Sequence, residues 1–221
     1  MELNKYIEHT ILSPTCTSAQ IQKLCEEAKE YQFKGVCVPP FYIRYAKQIL
    51  SDSPIRLISV VGFPLGYTAI ASKVEEVKRA VDEGVDELDM VANICAIKDN
   101  KWAHVQNDID GVTRAAHLHG KTIKVIVEAH LLTNDELRRV CELCCNLGVN
   151  YIKTSTGFNA DPATAEQVRL IKSYISGETK IKAAGGIKTK EQATQLINAG
   201  ASRLGTSAGL QLIGVSIAEK K

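Results

Sequence analysis

The sequence has no apolar run that approaches the roughly 20 residues of a membrane-spanning helix, and it has no basic block longer than a pair such as the terminal Lys220 and Lys221. Its 27 basic and 25 acidic side chains leave a net charge of +2, which gives no strong attraction to nucleic acid or to an anionic membrane. The first residues also lack the charged and then apolar order of a signal peptide. We therefore expect a cytoplasmic protein with no nucleic-acid partner and no membrane partner.

The number and spacing of the cysteines do not indicate a disulfide framework. The seven cysteines are odd in number and are scattered through predicted helices and strands, which is typical of reduced thiols in a cytosolic protein. Cys141, Cys144 and Cys145 form a CxxCC group within a helical pattern, and we interpret them as small apolar residues that face the core. No second CxxC pair and no HxxxH pair accompanies this group, so the sequence predicts no metal site.

The sequence does contain a regular alternation of strand-like and helix-like segments. The eight predicted strands are 7–12, 35–38, 56–62, 86–91, 123–128, 150–154, 180–184 and 203–205. Amphipathic helical patterns lie between them, for example at 18–32, 71–83, 134–147, 161–174 and 189–199. Parallel βαβ units over the whole length predict an α/β fold with one domain over 1–221, a TIM (β/α)8 barrel. A doubly wound open sheet is the alternative.

Charged residues concentrate on the side of the strands that should face the barrel interior. The residues five positions past three helix-ending glycines are Asp89, Lys153 and Gly205, and equal offsets predict equal heights near the carboxyl ends of the strands. Strand alternation assigns the outward, apolar face to Leu88, Met90, Val125, Val127, Ile152, Ile181 and Ala183. The inward positions are Glu87, Asp89, Asn93, Lys124, Ile126, Glu128, His130, Tyr151, Lys153, Ser155, Lys180 and Lys182. A purely structural barrel would fill that interior mostly with branched aliphatic residues.

Lys153 is the candidate nucleophile, because it interrupts a strand that is otherwise predicted to be buried. Lys182 lies one strand further on. Two neighbouring cations each disfavour the other's protonation, so Lys182 is expected to ease the deprotonation of Lys153 and to prepare an amine that forms a Schiff base. A structural ion-pair network with Asp89, Glu87 or Glu128 is the alternative interpretation.

Glycine-containing loops follow the sixth, seventh and eighth predicted strands. Glycine lets backbone amides approach an anion closely, and the loops after strands seven and eight are a recurrent phosphate site in this fold. The candidate phosphate-binding residues are Thr156, Gly157, Gly185, Gly186, Gly205 and Ser207. These glycines could also be simple turn residues.

The motifs YIKTSTGF, KAAGGIKT, GTSAG, VVGFPLG, ELDMVANICAIK and KVIVEAHLLT resemble the deoxyribose-phosphate aldolase family, in order from about residue 7 to residue 212. The resemblance implies a class I aldolase that needs no metal and no cofactor. It implies reversible cleavage of the phosphosugar 2-deoxy-D-ribose 5-phosphate to D-glyceraldehyde 3-phosphate and acetaldehyde. By matching position, Lys153 would form the Schiff base while Asp89 and Lys182 transfer protons, and a homodimer would be a plausible assembly.

Three positions depart from the pattern that the family resemblance leads us to expect. They are Ser13, Pro39 and His130, and they affect the expected shape of the pocket and not the three catalytic positions. Glu8 and His9 are expected either to join the proton network or to close the barrel floor. The alternatives to this function are another Schiff-base aldolase with a different substrate and a barrel that binds phosphosugars without catalysis.

Overall fold

In the computed structural model, which describes residues 1–158 and 162–215, eight parallel strands close into a barrel in sequence order. The strands are β1 (Ile7–Thr10), β2 (Gly35–Cys37), β3 (Arg56–Val61), β4 (Glu87–Val91), β5 (Thr122–Ile126), β6 (Tyr151–Lys153), β7 (Lys180–Ala184) and β8 (Arg203–Thr206). Pairing of β8 with β1 completes the ring. The predicted single-domain TIM barrel is confirmed and the alternative of an open sheet is wrong, while the extent of the domain over 1–221 stays a prediction.

Helices follow the strands around the outside of the barrel. They are α1 (Ser18–Glu30), α2 (Ile43–Ile49), α3 (Ile70–Asp82), α4 (Ile94–Lys98), α5 (Trp102–Leu118), α6 (Asn134–Asn146), α7 (Ala165–Tyr174), α8 (Lys190–Ala199) and α9 (Gly209–Leu212). None of the described helices is long and apolar enough to span a membrane. The named helical patterns correspond to α1, α3, α6, α7 and α8.

The start of α7 differs from the prediction. The pattern was expected to begin at 161, but the helix begins at Ala165, because Thr164 caps it in a capping box with Gln167. The residue at 161 lies outside the described part of the chain. The same type of capping box begins α1, α6 and α8, so side-chain hydrogen bonds determine where four helices begin.

The strand register places inward side chains in stacked levels, with alternate strands contributing to each level. One level contains Cys37, Asp89, Lys153 and Gly205. The level beneath it contains Glu8, Ile58, Lys124 and Lys182. Asp89, Lys153 and Gly205 therefore share one height, as their equal offsets from helix-ending glycines predicted.

The outward face of the strands forms the main hydrophobic core with the helices. All seven residues predicted to face outward are buried there, namely Leu88, Met90, Val125, Val127, Ile152, Ile181 and Ala183. Lys180, which has the same parity as Lys182, begins β7 at the amino-terminal rim and is exposed to solvent. All seven cysteines are free thiols. Cys141 and Cys144 face the core as predicted, whereas Cys145 is only partly buried.

Candidate active site

Asp89 lies at the centre of a group of three lysines inside the barrel. Its Oδ2 atom accepts hydrogen bonds from Lys153 Nζ at 2.9 Å and from Lys182 Nζ at 2.6 Å, while Lys124 Nζ lies 3.1 Å from Oδ1. Lys124, Lys182 and Asp89 are completely buried, and Lys153 retains 2% of its possible exposure. The three predicted catalytic residues are therefore in direct contact, and Lys153 alone of the three reaches the cleft.

Further charges lie beneath this group. Lys182 also contacts Glu8 from β1, and Lys124 Nζ lies 2.6 Å from Glu87 Oε2. Arg203 Nε approaches Glu8 Oε1 at 3.5 Å. The sequence had left the place of Glu8 open; the structure places it in the ionic network. His9 points the other way and pairs with Glu27 of α1 at 2.9 Å.

The network fixes the charge of its central carboxylate. Burial alone would raise the pKa of Asp89, but the nearby charges of Lys124, Lys153 and Lys182 hold this pKa well below its usual range. Burial would lower the pKa values of Lys182 and Lys124, yet Asp89 and Glu8 raise both of them. Near neutral pH, Asp89 is an anion and Lys182 and Lys124 are cations.

Gly205 makes room for this arrangement. A Cβ atom at that position would lie 3.1 Å from Lys182 Cε and 3.1 Å from the Cβ atom of Ala184. Because Gly205 has no side chain, the aliphatic stem of Lys182 can occupy the space that a side chain of β8 would fill on the level of Asp89 and Lys153. Packing against Lys182 and Ala184 therefore favours glycine at position 205 whether or not a ligand binds nearby.

A cleft of about 660 Å³ opens above Lys153 at the carboxyl ends of the strands. All six predicted phosphate-binding residues line it, namely Thr156, Gly157, Gly185, Gly186, Gly205 and Ser207. Lys188 also lines the cleft, although the sequence analysis had not singled it out. Its place directly after the Gly185-Gly186-Ile187 turn was the available signal, because a cation beside exposed amides suits an anion.

Threonine hydroxyls hold the loops around the cleft. Thr206 donates to the carbonyl of Ile187 at 2.7 Å and accepts from the N–H of Ala208 at 2.9 Å, which ties the loops after β7 and β8 together. Thr154 donates to the carbonyl of Ala184 at 3.1 Å. The spacing of the two glycine loops is therefore set by two hydroxyls, that of Thr206 at the end of β8 and that of Thr154 directly after β6.

The donors available in the loop after β6 are fewer than the sequence suggested. The N–H of Thr156 donates to the carboxylate of Glu128, and the N–H of Phe158 donates to the Thr156 hydroxyl at 3.1 Å. Neither amide points to a ligand in this arrangement. Thr156 can offer its hydroxyl to a ligand. Gly157, whose φ is 84°, can offer its backbone amide.

The three departures from the expected family pattern lie in different places. Ser13 lines the cleft, and its hydroxyl contacts that of Thr15 at 2.9 Å. Pro39 precedes a single 3-10 turn after β2. His130 lies near Glu128, with 3.8 Å between Nε2 and Oε2. Of the three, only Ser13 is among the residues that line the cleft.

Within residues 1–158 and 162–215, no three His, Cys, Asp or Glu side chains are grouped so that they could hold a metal ion. The polar groups that converge on the cleft include the amines of Lys153 and Lys188, backbone amides and hydroxyls. Such a set can form a covalent bond to a carbonyl carbon at Lys153 and can bind an anion at the opposite wall.

Comparison with known proteins agrees with this geometry. Residues 3–218 match the sequence model of the DeoC/LacD family of aldolases. The chain belongs to that family. It is 46% identical over 215 residues to the deoxyribose-phosphate aldolase of Thermococcus gammatolerans, with 96% of each chain covered.

Solved structures give the same result for the fold. A protein from Coccidioides immitis, provisionally described as a deoxyribose-phosphate aldolase, is 41% identical and superposes with a TM-score of 0.92 over 96% of this chain and 84% of that one. The tetrameric deoxyribose phosphate aldolase of Aeropyrum pernix is 28% identical, with a TM-score of 0.89 over 96% of this chain and 89% of that one. The fold of this chain is thus shared with aldolases of known structure.

Proposed function

We propose that this chain is a class I aldolase that reversibly cleaves 2-deoxy-D-ribose 5-phosphate to D-glyceraldehyde 3-phosphate and acetaldehyde. The observation that carries the proposal is the contact of Lys153 with Asp89 at 2.9 Å, together with the position of Lys153 in a cleft that the two glycine loops help to line. The relatives named deoxyribose-phosphate aldolase support the choice of substrate.

Lys153 begins the reaction by attacking the aldehyde carbon C1 of the sugar. Loss of water gives an iminium ion, which accepts electrons when the bond between C2 and C3 breaks. The C3 hydroxyl loses its proton in that step and becomes the aldehyde of glyceraldehyde 3-phosphate. The remaining enamine takes up a proton at C2, and water then releases acetaldehyde and restores the lysine.

Asp89 and Lys182 would carry the protons in these steps. Asp89 is ionised near neutral pH, so it is in the state that can accept a proton through a water molecule. Lys182 donates a hydrogen bond to the same oxygen of Asp89 as Lys153 does, which links the three groups for proton transfer. Its proposed effect on the deprotonation of Lys153 stays a prediction.

The phosphate group would bind at the wall opposite the lysine. Gly185 and Gly186 both have positive φ angles, which expose their backbone amides at the start of the turn. Ser207 and Lys188 face the same cleft and add a hydroxyl and a positive charge. Binding there would orient the sugar so that C1 meets Lys153.

An assay for acetaldehyde tests the proposed reaction directly. We expect release of acetaldehyde from 2-deoxyribose 5-phosphate, no cleavage of keto-acid aldol substrates, and full activity in the presence of a chelator, because no step requires a metal. Cleavage of a keto acid in place of the sugar phosphate, or inactivation by the chelator, would overturn the assignment.

The assembly and the cellular location of the protein are further proposals. We propose a homodimer on the basis of the sequence resemblance, and sedimentation velocity distinguishes it from the tetramer described for the Aeropyrum pernix protein. We also propose that the protein is cytoplasmic, as the sequence led us to expect.

A further inference from the structure

Lys124 is a buried cation to which the proposed reaction assigns no step. It projects inward from β5 one level beneath Asp89 and Lys153 and has no exposed surface. Its Nζ atom lies 2.6 Å from Glu87 Oε2, 3.1 Å from Asp89 Oδ1 and 3.7 Å from Glu8 Oε1. A lysine in such a site loses all of its hydration, so its charge must be offset by these carboxylates.

The contacts of Lys124 are those of a point charge. They meet the distances of ion pairs, but Lys124 Nζ and Asp89 Oδ1 form no hydrogen bond of good geometry. The ring of Tyr151 lies on another side, with its centroid 5.8 Å from Nζ. Lys124 therefore acts on Asp89 mainly through its electric field and not by directional bonding.

The two oxygens of Asp89 have different partners. Lys124 lies at Oδ1, while Lys153 and Lys182 share Oδ2. Because Lys124 compensates the carboxylate from below, the proton of Lys153 is not needed to neutralise Asp89. Without Lys124, the negative charge of Asp89 would be offset only by the two lysines at Oδ2.

The balance of interior charge leads to the same conclusion. The cations that meet in this part of the barrel are Lys124, Lys153, Lys182 and Arg203, and the carboxylates in contact with them are Glu8, Glu87 and Asp89. Among these described groups the cations exceed the carboxylates by one, so loss of the proton from Lys153 brings the set to neutrality. If Lys124 were removed, the set would be neutral only with Lys153 protonated.

We infer that Lys124 is a positioning residue that compensates Asp89 and thereby allows Lys153 to react as a neutral amine near neutral pH. This inference rests on the proposed function, since it concerns the Schiff base at Lys153. Tyr151 and Cys37 also face this group, and Glu128 and His130 lie near the mouth of the barrel. Lys34 is close enough to Arg203, Glu87 and Glu8 to interact with their charges. The variants below leave these five residues unchanged.

The test measures the midpoint pH at which Lys153 is trapped as a reduced adduct by acetaldehyde and borohydride. In Lys124→Met, we expect the midpoint to rise by about one pH unit or more, because a unit charge close to the amine has been lost. In Glu87→Gln, we expect the midpoint to fall, because Lys124 keeps its charge and loses its nearest counter-ion. Glu87→Gln is nearly isosteric and keeps the test available if Lys124→Met does not fold.

Lys73→Met is the matched control. Lys73 is also fully buried, but it pairs with Asp108, 2.7 Å away, between α3 and α5. We expect this variant to unfold more easily but to keep the midpoint pH for trapping of Lys153 that the unmodified protein has. It therefore distinguishes a general loss of stability from a change in the electric field at Lys153. Unshifted midpoints in Lys124→Met and Glu87→Gln, or shifts of the same sign in both, would overturn the inference. Absence of trapping in the unmodified protein at every pH would instead overturn the proposed function.

Discussion

At the scale of single residues, the site depends on one carboxylate that three amines share. Asp89 is fully buried, and an isolated carboxylate in such a place would become neutral. Lys124, Lys153 and Lys182 reverse that tendency and hold the pKa of Asp89 well below its usual range. The ionised carboxylate in turn makes it possible to bury the lysines.

The stability of Asp89→Asn should reveal this coupling. Because the pKa of Asp89 is lower in the folded than in the unfolded chain, its contribution to stability is complete above a pH of about 4 and disappears as the pH falls through the folded value. We expect the variant to lose about 3–5 kcal/mol of unfolding free energy at pH 7. Urea titrations at a series of pH values should show this difference shrinking below pH 4. A difference that stays constant down to pH 3 would contradict the coupling.

The sequence predicted Asp89, Lys153 and Lys182 because each stands at an identifiable position in a strand. Glu8 could not be paired in advance, since it lies 174 positions from Lys182 along the chain and meets it only when the barrel closes. Lys124 was predicted to face inward, but its partners depend on the stagger between strands. Alternation within one strand does not contain that information.

At the scale of elements, the loops after β7 and β8 determine what the cleft can bind. Thr206 links them through Ile187 and Ala208, so the amides near Gly186 and Ser207 form one surface. A Cβ atom at Gly186 would lie 2.4 Å from Pro162 Cβ, and its φ of 67° also favours glycine. The glycines predicted from their loop positions thus have packing reasons as well.

Lys188 should govern affinity for the phosphate group. We expect Lys188→Met to raise KM for 2-deoxyribose 5-phosphate about tenfold with little change in kcat, because a charge-assisted contact far from C1 is lost. Cleavage of unphosphorylated 2-deoxyribose should be unaffected. Initial rates with both sugars measure this.

Lys190→Met provides the control, since Lys190 begins α8 and does not line the cleft. It should leave both KM values unchanged. Equal losses for the two sugars in Lys188→Met would show that Lys188 has no role specific to the phosphate.

Helix boundaries were harder to predict than strands. The segment from 161 was expected to start a helix because an aspartate followed by Pro162 is typical of a helix N-terminus. The structure begins α7 at Ala165 instead, where Thr164 and Gln167 form a capping box. Two start signals lay within four residues of each other, and the sequence alone could not rank them.

At the scale of the whole molecule, closure of the barrel brings the site together. The sequence predicted eight strands and their order, and the structure adds the stagger that places Cys37, Asp89, Lys153 and Gly205 on one level. Charged residues occupy two of the four places on that level, and the helices supply the apolar packing outside the barrel. The outer core stabilises the fold, and the interior is therefore available for catalysis.

The most direct test of the account is borohydride reduction of the protein in the presence of 2-deoxyribose 5-phosphate, followed by peptide mass mapping. We expect a stable adduct on the peptide that contains Lys153. In Lys153→Ala we expect no adduct at that peptide and a fall in kcat of roughly 10³-fold or more. An adduct on another lysine, or full activity in Lys153→Ala, would contradict the central role of Lys153.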